Sequence, residues 1–360
     1  MYLAVLGRQA EISLAELEAL FENVSRISER LAIFESKNKP EIDRLGGSLK
    51  IAEKLEKSPL DFLANLEDGK ITFGVSDYSK RASSKSATLE AMKLKKILTR
   101  HGRSIRVVQN KEAVLSSATS LHNGLSGKNP RKCELIKVEN DWYKVVGVQD
   151  IDAYTRRDQA RPARDAKVGM LPPKLAQILI NLCGPLKSGA CVLDPFCGTG
   201  VVLQEALLMG YSAYGTDISE RMIEYSKKNL EHFGFKDYKL EIGDAKEHKW
   251  SKIDAVACEG YLGAPMSNPP SEIRLKEEKQ VCGDIVFSFL KNLSGQIAKD
   301  TPVVIAVPAW LRPDGTYSRL ETVDNLGELG YNVNNKSLGG LLYYREGQIV
   351  ARDIIILRKK

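Results

Sequence analysis

The chain has 360 residues, enough for two or three domains, and its 43% hydrophobic and 28% charged residues are typical of a globular protein, not a disordered one. The sequence contains no apolar run approaching the ~20 residues of a membrane span, and its N-terminal stretch lacks a charged leader, so we expect a cytoplasmic protein without a membrane partner. The cysteines have no CxxC spacing and the histidines are scattered, which argues against a zinc site and predicts no bound metal.

The net charge of +7 is concentrated in one window, residues 80–111, where Glu90 is the single acidic residue. A local basic cluster is what a phosphate backbone attracts, so we predict nucleic-acid binding here. The alternative is the solvated face of a helix whose buried side holds Leu89, Met92 and residues 94–98. The residues predicted to bind RNA are Lys80, Arg81, Lys85, Lys95, Lys96, Arg100, Arg103 and Arg106.

The first 150 residues alternate between strand and helix patterns. Ser13 and Glu16 have the spacing of a capping box before a helix at 14–21, and Gly102 is expected to end a helix at 88–102. The alternation predicts a small α/β layer. Strands are predicted at 2–6, 30–36, within 45–55, at 71–79 and at 104–109, a short helix at 116–125, and a hairpin turning at 139–141.

Residues 151–168 are polar, contain proline and lack periodicity, so we place a domain boundary and linker there. The following residues alternate strands and helices with short loops, which predicts a doubly wound, mostly parallel sheet. Helices are predicted at 174–182, 201–210 and 220–234, and strands at 191–196, 212–219, 238–245, 253–259, 301–310, 341–348 and 349–359.

The segment 191–200, CVLDPFCGTG, has the pattern of a strand, a glycine-rich turn and a helix start. Glycines let a ligand approach the backbone, and the helix start offers free N–H groups. A dinucleotide fingerprint would require a third glycine where Leu203 stands. Asp194 at the strand end would repel a pyrophosphate and attract a sulfonium, so S-adenosylmethionine is favoured over NAD. Asp217 is placed to bind ribose hydroxyls and Asp244 to meet the adenine amino group.

The segment from Asp194 to Gly200 resembles motif I of class I, Rossmann-fold methyltransferases. Residues 157–182 resemble the segment before motif I in the THUMP-domain tRNA guanosine N2-methyltransferases that modify position 10 of tRNA. The stretches 44–53 and 116–125 resemble the ferredoxin-like and THUMP parts of that family. The resemblance implies a ferredoxin-like domain at 1–65, a THUMP RNA-binding domain at 66–150, a linker at 151–168 and a Rossmann-fold methyltransferase domain at 169–360.

The resemblance also implies which residues bind the cofactor S-adenosylmethionine. The segment before motif I packs against the cofactor pocket in that family, which implicates Arg164 and Asp165. The alternative is a plain helix cap, since Pro173 at a first helical position needs no function. The predicted cofactor-binding residues are Asp194, Phe196, Gly198, Gly200, Asp217, Ile218, Asp244, Ala245, Met170, Leu171 and Lys174.

The segment 259–263, EGYLG, occupies the place where the family has Asp or Asn, then Pro-Pro-Tyr. Glu259 falls at the acid position and can accept the N–H bonds of the reacting amino group, which is a poor nucleophile without such an acceptor. Leu262 falls at the aromatic position, and Tyr261 can stack on an extruded base if the loop path shifts by one residue. The alternative is that Glu259 merely ends a strand. The nearby Ser267–Pro270 is interpreted as a turn.

The resulting hypothesis is a tRNA methyltransferase that transfers methyl groups to the N2 amino group of a guanosine. One alternative is a catalytically inactive tRNA-binding protein, suggested by the divergent loop. A second alternative is an amino-methyltransferase acting on DNA, against which the THUMP-like half argues. The sequence leaves the target nucleotide, mono- or dimethylation, and the need for an activating partner subunit open.

Overall fold

A computed structural model describes residues 1–165, 171–334 and 340–360, with the backbone alone at 322–325. The chain divides into two compact units, Met1–Tyr154 and Thr155–Lys360. Met170, one of the predicted cofactor residues, lies outside the described residues.

The first unit contains eight strands and four helices among its described residues. Its strands are β1 (Tyr2–Leu6), β2 (Glu22–Ser28), β3 (Leu31–Glu35), β4 (Ser48–Lys54), β5 (Ile71–Asp77), β6 (Ile105–Val107), β7 (Lys132–Val138) and β8 (Asp141–Val148). Its helices are α1 (Ala10–Leu20), α2 (Pro59–Ala64), α3 (Ser84–Arg100) and α4 (Ser117–His122), with a 3₁₀ turn at Ile42–Arg44.

All eight strands form one sheet, in the order β2-β3-β1-β4-β8-β7-β5-β6. β5 is parallel to β6 and β7, and the other pairs are antiparallel. β7 and β8 form the predicted hairpin, with Val138 opposite Asp141. The sheet therefore runs through both predicted N-terminal domains, and the proposed division at residue 65 stays a prediction.

The predicted capping box at Ser13 and Glu16 is wrong. The helix α1 begins at Ala10, four residues before the predicted start at residue 14, and both side chains are buried inside it. Ser13 Oγ donates to the carbonyl of Gln9 at 3.0 Å. Glu16 instead accepts hydrogen bonds from the backbone N–H groups of Gly46 and Gly47, each at 2.9 Å. The glutamate thus fastens α1 to the loop before β4.

The helix α3 is amphipathic, as predicted, but its buried side differs from the prediction. Ala87, Ala91, Leu94 and Leu98 pack against the sheet. Their spacing of three and four residues is the period of a helix face. The sequence pattern places Leu89 and Met92 on this side, yet both are exposed.

A buried ion pair lies in the middle of the first unit. Lys50 on β4 and Glu134 on β7 are 2.6 Å apart and almost fully buried. The Lys50 ammonium also donates to the carbonyl of Leu115 and to Ser120 Oγ. Glu134 accepts further hydrogen bonds from the hydroxyls of Ser76 and Ser120. All three ammonium protons and both carboxylate oxygens are therefore used.

The second unit contains the remaining helices and strands. Its helices are α6 (Pro173–Leu182), α7 (Val201–Leu208), α8 (Glu220–His232) and α9 (Glu272–Ser294), and α5 (Ile151–Gln159) precedes them. Its strands are β9 (Cys191–Asp194), β10 (Ser212–Asp217), β11 (Tyr238–Ile242), β12 (Ala255–Glu259), β13 (Pro302–Leu311), β14 (Tyr317–Ser318), β15 (Tyr331–Val333), β16 (Leu342–Tyr343) and β17 (Val350–Lys359), with a 3₁₀ helix at Glu321–Leu329.

The main sheet of the second unit has the order β11-β10-β9-β12-β13-β17-β15. The first five strands are parallel, and β17 is antiparallel to both of its neighbours, β13 and β15. The order reverses beside β9, which makes this edge of the sheet a ligand-binding crevice in doubly wound folds. The predicted Rossmann-type α/β architecture is confirmed.

Several elements of the fold depart from the sequence prediction. The longest described helix, α9, and the strand β2 were not predicted. β2 consists almost entirely of exposed side chains, so it lacks the alternating pattern of a half-buried strand. The predicted linker begins with the helix α5, which buries Tyr154 and exposes most of its polar residues.

Candidate active site

The candidate active site is a cavity of about 970 Å³ in the second unit, where the carboxyl ends of β9, β10, β11 and β12 meet. Parallel strands end at the same edge of a sheet, so their last residues converge there. The acidic residues that line the cavity are Asp165, Asp194, Asp217, Asp244 and Glu259. The lining is therefore rich in hydrogen-bond acceptors and in negative charge.

The glycine-rich loop between β9 and α7 forms one wall of the cavity. Gly198 and Gly200 have φ values of 51° and 82°, in the left-handed region that favours glycine. A Cβ atom on Gly200 would lie 2.9 Å from Ser226 Oγ. Gly200 does not line the cavity itself. It turns the chain into α7, whose first residue, Val201, does.

Three of the strand-end carboxylates are held by backbone N–H groups. Asp194 Oδ1 accepts from Phe196 N at 3.1 Å. Asp217 Oδ2 accepts from Gly198 N at 3.0 Å, and Asp217 Oδ1 accepts from Ser219 N at 2.9 Å. Asp244 accepts from Lys246 N at 2.9 Å and pairs with the Lys246 ammonium at 3.2 Å. Each carboxylate is thus fixed in direction at the end of its strand.

The cavity raises the pKa of its buried acids. Burial raises the pKa of Asp194 well above its usual range, and the like charges of Asp217 and Glu259 raise it further, against a hydrogen bond from Phe196 N. Burial also raises the pKa of Asp217, although the N–H groups of Ser219 and Gly198 oppose this. Clustered carboxylates of this kind are stabilised in the ionised form by a cation. The carboxylates that line the cavity therefore suit a positively charged ligand.

Glu259 is the last residue of β12 and forms an ion pair with Arg352 on β17. Arg352 Nε donates to Glu259 Oε1 at 2.5 Å, reaching past the intervening strand β13. Both residues line the cavity, and Arg352 is almost fully buried. The pKa of Glu259 lies above its usual value, because burial raises it more than the charge and hydrogen bond of Arg352 lower it. The guanidinium partly offsets the effect of burial and so supports the ionised carboxylate that the predicted catalytic role requires.

The loop after Glu259 carries the remaining predicted catalytic residues. Tyr261 lines the cavity and keeps 44% of its surface exposed, as a side chain must if a base is to stack on it. Leu262 also lines the cavity and is half-buried. Gly263, with φ of 86°, turns the chain so that Ala264 N donates to Glu278 of α9 at 3.2 Å. The helix α9 thereby fastens the end of the loop.

The structure gathers most of the predicted site residues around this cavity. Lys174 is half-buried at the start of α6 and does not line it, and burial beside Arg157 lowers the Lys174 pKa. Arg164 is also absent from the lining. The predicted residues that line the cavity are Asp165, Leu171, Asp194, Phe196, Gly198, Asp217, Ile218, Asp244, Ala245, Glu259, Tyr261 and Leu262. Their roles remain predictions.

Sequence reasoning missed two residues that shape the site. The sequence pattern gives Arg352 no predicted role. The charged pair Arg352-Asp353 nevertheless interrupts an otherwise apolar strand, and such an interruption indicates a functional position. Arg221 on α8 lines the cavity and donates to Asp165 at 2.8 Å. Arg221 lies on the exposed face of α8, and the sequence pattern does not distinguish it from other charged residues on the protein surface.

The predicted RNA-binding residues separate into groups in the first unit. Lys80, Arg81, Lys85, Lys96 and Arg100 are exposed on α3 or just before it, and Lys95 is half-buried. The Arg103 guanidinium is engaged with Asp68 at 2.7 Å and with the carbonyls of residues 66 and 67.

Arg106 lies on the sheet face opposite α3. Its strand neighbours Ile105 and Val107 pack on the α3 side, whereas Arg106 is paired with Thr72 and points away. There it joins Lys70, Arg131 and Lys132 around a basic depression. The first unit therefore presents two separate basic surfaces.

Further constraints come from the rest of the described chain. In residues 1–165, 171–334 and 340–360 we find no group of three or more His, Cys, Asp or Glu side chains placed to hold a metal ion. No helix in these ranges has the length and apolar character needed to cross a membrane. All six cysteines are free and buried.

Comparison with known proteins gives matches in both halves of the chain. A family profile described as "Methyltransferase domain" matches residues 186–325, and one described as "DNA methylase" matches residues 66–228. The first range contains Asp194, Asp217, Asp244 and Glu259 and ends before Arg352.

Several curated proteins similar to this chain are named tRNA (guanine(10)-N2)-dimethyltransferase. A tRNA (guanine(10)-N2)-dimethyltransferase from Methanothermobacter thermautotrophicus is 34% identical over 190 residues, which cover 49% of this chain and 54% of that protein. A "Probable tRNA (guanine(10)-N2)-dimethyltransferase" from Methanothermococcus thermolithotrophicus is 32% identical over 138 residues, covering 37% of this chain and 78% of that protein. The chain thus spans about half of the first relative. The crystal structure of TrmN from Thermus thermophilus aligns over 100% of this chain and 99% of that chain, with a TM-score of 0.48 and 18% identity.

Proposed function

The chain belongs to the tRNA (guanine(10)-N2)-dimethyltransferase family, and on this premise we propose that it methylates the N2 amino group of a tRNA guanosine. The family name supports position 10 as the target and two successive methyl transfers. The observation that carries the proposal is the convergence of Glu259, Tyr261 and the strand-end carboxylates on one cavity.

We propose S-adenosylmethionine as the methyl donor in this cavity. Its ammonium and sulfonium charges suit the acidic lining, where Asp194 and Asp217 have raised pKa values that a cation would lower. In this proposal Asp217 would hold the ribose hydroxyls, and Asp244 would meet the adenine amino group. When bound, the donor supplies a methyl carbon whose bond to sulfur breaks with its electron pair left on sulfur.

The chain's own residues would prepare the amino group for this displacement. The N2 lone pair is delocalised into the guanine ring, so the nitrogen must become pyramidal before it can attack. Glu259 accepts an N2–H hydrogen bond, stabilises the positive charge that develops on nitrogen, and then takes the released proton. Tyr261 stacks on the extruded base and holds it in line, with Leu262 completing the wall.

We propose that the first unit binds the tRNA. Residues 1–65 would form the ferredoxin-like part, residues 66–150 the THUMP part, and 151–168 the connection. The exposed cations on α3 and the basic depression around Arg106 supply positive charge for phosphate contacts. Arg103 is better explained as a structural residue, because its guanidinium is already engaged. A tRNA-modifying role also fits a cytoplasmic protein with free cysteines.

The test is single-turnover methyl transfer to an unmodified tRNA transcript at saturating S-adenosylmethionine, followed by mass spectrometry of the nucleosides. Wild type should produce N2-methylated guanosine. Glu259→Ala should slow transfer by roughly 10²-fold or more, because an acceptor for the developing charge is removed. Glu259→Gln keeps an acceptor oxygen without the charge, so its rate should lie between the two.

Binding measurements on the same variants separate catalysis from folding. Both variants should bind cofactor and tRNA nearly as well as wild type, since neither affinity depends mainly on the amino-group contact. Wild-type rates in Glu259→Ala would show that this acid is structural. An absence of transfer by the wild type, with tRNA still bound, would favour a non-catalytic tRNA-binding protein.

A further inference from the structure

The ion pair between Glu259 and Arg352 leaves bonding capacity unused. Arg352 Nε donates to Glu259 Oε1, and among the described residues no hydrogen bond reaches Glu259 Oε2 or leaves the two Nη groups of Arg352. Both side chains are largely buried and both line the cavity. Buried charges in proteins normally satisfy their remaining lone pairs and protons. The free acceptor and donors therefore suit a ligand that enters the cavity.

A second ion pair on the same strand shows what a purely structural arrangement looks like. Arg319 donates through both Nε and Nη2 to the two oxygens of Asp353, the residue next to Arg352. This fork-to-fork geometry uses both carboxylate oxygens. Neither Arg319 nor Asp353 lines the cavity. Arg352 instead contacts Glu259 through Nε alone, which leaves its Nη groups available.

The order of the polar groups in this pair matches one base edge. The groups are Arg352 Nη (donor), Glu259 Oε1 (acceptor, with one lone pair already used by Arg352 Nε) and Glu259 Oε2 (acceptor). The Watson–Crick edge of guanine presents O6 (acceptor), N1–H (donor) and N2–H (donor) in the same order. Adenine would place the lone pair of N1 against the carboxylate. Extruded bases are commonly recognised by hydrogen bonds to this edge.

We propose that Arg352 and Glu259 together read the Watson–Crick edge of guanine, with Arg352 as a specificity-determining residue that donates to O6. The inference rests on the proposed function, because it concerns the base that Glu259 holds for methyl transfer. It adds a reason for the departure from the family's loop. A longer acid at position 259 can reach the guanidinium of β17 and still offer an oxygen to N2–H.

The experiment compares two tRNA transcripts that differ in one atom of the target base. One carries guanosine at the target position, and the other carries 6-thioguanosine, which keeps N1–H and N2–H but replaces O6 with a weaker acceptor. Single-turnover rates are measured at saturating S-adenosylmethionine for wild type, Arg352→Gln, Arg352→Met and the matched control Arg319→Gln. The rate ratio between the two transcripts reports the contact at position 6 alone.

Wild type should prefer guanosine by roughly tenfold or more, as expected for a hydrogen bond from a charged donor. Arg352→Gln should abolish most of this preference, chiefly by slowing transfer to guanosine. Arg319→Gln should keep the wild-type ratio even if it lowers stability. If Arg352 merely holds Glu259 in place, its removal would slow both transcripts equally and leave the ratio unchanged, and this outcome would overturn the inference.

Three further outcomes are decisive. If Arg352→Gln does not fold, Arg352→Met, which keeps a long side chain and removes every N–H donor, takes its place, and an unchanged ratio there would overturn the inference. A wild type that methylates the guanosine transcript but shows no preference would refute the inference and leave the proposed function intact. A wild type that transfers nothing to guanosine would refute both.

Discussion

Each unit of the protein contains a buried ion pair, and the two pairs have opposite surroundings. In the first unit, Lys50 and Glu134 are enclosed by Ser76, Leu115 and Ser120, and every proton and oxygen of the pair has a partner. In the second unit, Arg352 and Glu259 share one hydrogen bond and line a large cavity.

The difference shows that burial and charge together do not identify a functional site. A buried pair costs desolvation energy, and this cost is offset by mutual attraction and by additional hydrogen bonds. The first pair obtains those bonds within the chain, so it fastens β4, β5, β7 and α4 together. The second pair lacks them in the described residues, so a ligand can supply them. Unused bonding capacity beside a cavity is the feature that distinguishes function from structure.

The largest expected effect tests the enclosed pair. Glu134→Ala should lower the free energy of unfolding of the first unit by about 3–5 kcal/mol, because it leaves Lys50 buried without a counter-charge. Amide hydrogen exchange in β5 and β7 measures this separately from the second unit. The double variant Lys50→Met/Glu134→Leu should recover most of the stability, since two apolar side chains need no hydrogen bonds. Equal stability of the single and double variants would show that the pair is not enclosed as described.

An intermediate effect tests the open cavity through pH. Asp194 has a raised pKa, so it is protonated in the free protein at pH values below that pKa and must release its proton when a cation binds. The affinity for S-adenosylmethionine should therefore fall with decreasing pH, by up to about tenfold per pH unit in that range. Calorimetry at several pH values measures the slope. Asp194→Asn should make it shallower.

Asp254→Asn is the matched control for the pH experiment. Asp254 accepts a hydrogen bond from Cys191 N at 2.8 Å on the same sheet but does not line the cavity. Its variant should keep the wild-type slope. A slope that is the same in wild type and Asp194→Asn would assign the pH dependence to another group.

The smallest expected effect concerns the exposed charges of the first unit. Lys96→Glu/Arg100→Glu on α3 should weaken tRNA binding by roughly tenfold and flatten the log–log salt slope by about 0.7 for each phosphate that is no longer neutralised. Arg131→Glu/Lys132→Glu tests the depression around Arg106 in the same way. Filter-binding titrations at several salt concentrations supply both numbers.

A charge-matched control distinguishes direct phosphate binding from overall charge. Lys37→Glu/Lys39→Glu reverses two exposed lysines on the loop after β3 and should change the slope least. Identical decreases in affinity in all three double variants would mean that net charge alone draws tRNA to this unit.

The sequence predicted those parts of the molecule that depend on local patterns. The strand at 191–196, the glycine turn at Gly198 and Gly200, and the carboxylates at strand ends follow from hydrophobic runs and turn chemistry. These same features place Asp194 and Asp217 at the cavity, because parallel strands end together.

The missed parts depend on contacts between residues that are distant in sequence. Glu259 and Arg352 are 93 residues apart and meet because β17 enters the sheet beside β13. Glu16 looks like a cap by spacing, yet it binds backbone groups 30 and 31 residues away. The helix α9 is an exception, because its buried residues Cys282, Val286, Phe289 and Leu293 have the three- and four-residue spacing of a helix face, a local pattern that predicts a helix.

The position of β17 in the sheet also sets the order in which the site can be completed. β17 lies between β13 and β15, and it carries Arg352. A ribosome delivers the chain from its N-terminus, and units delivered early can fold while later residues are still being made. Glu259 is thus synthesised long before its counter-charge, and a chain that stops short of residue 352 has all the strand-end carboxylates without the guanidinium. Interrupted translation would yield a chain that has these carboxylates but lacks both Arg352 and the central strand that carries it.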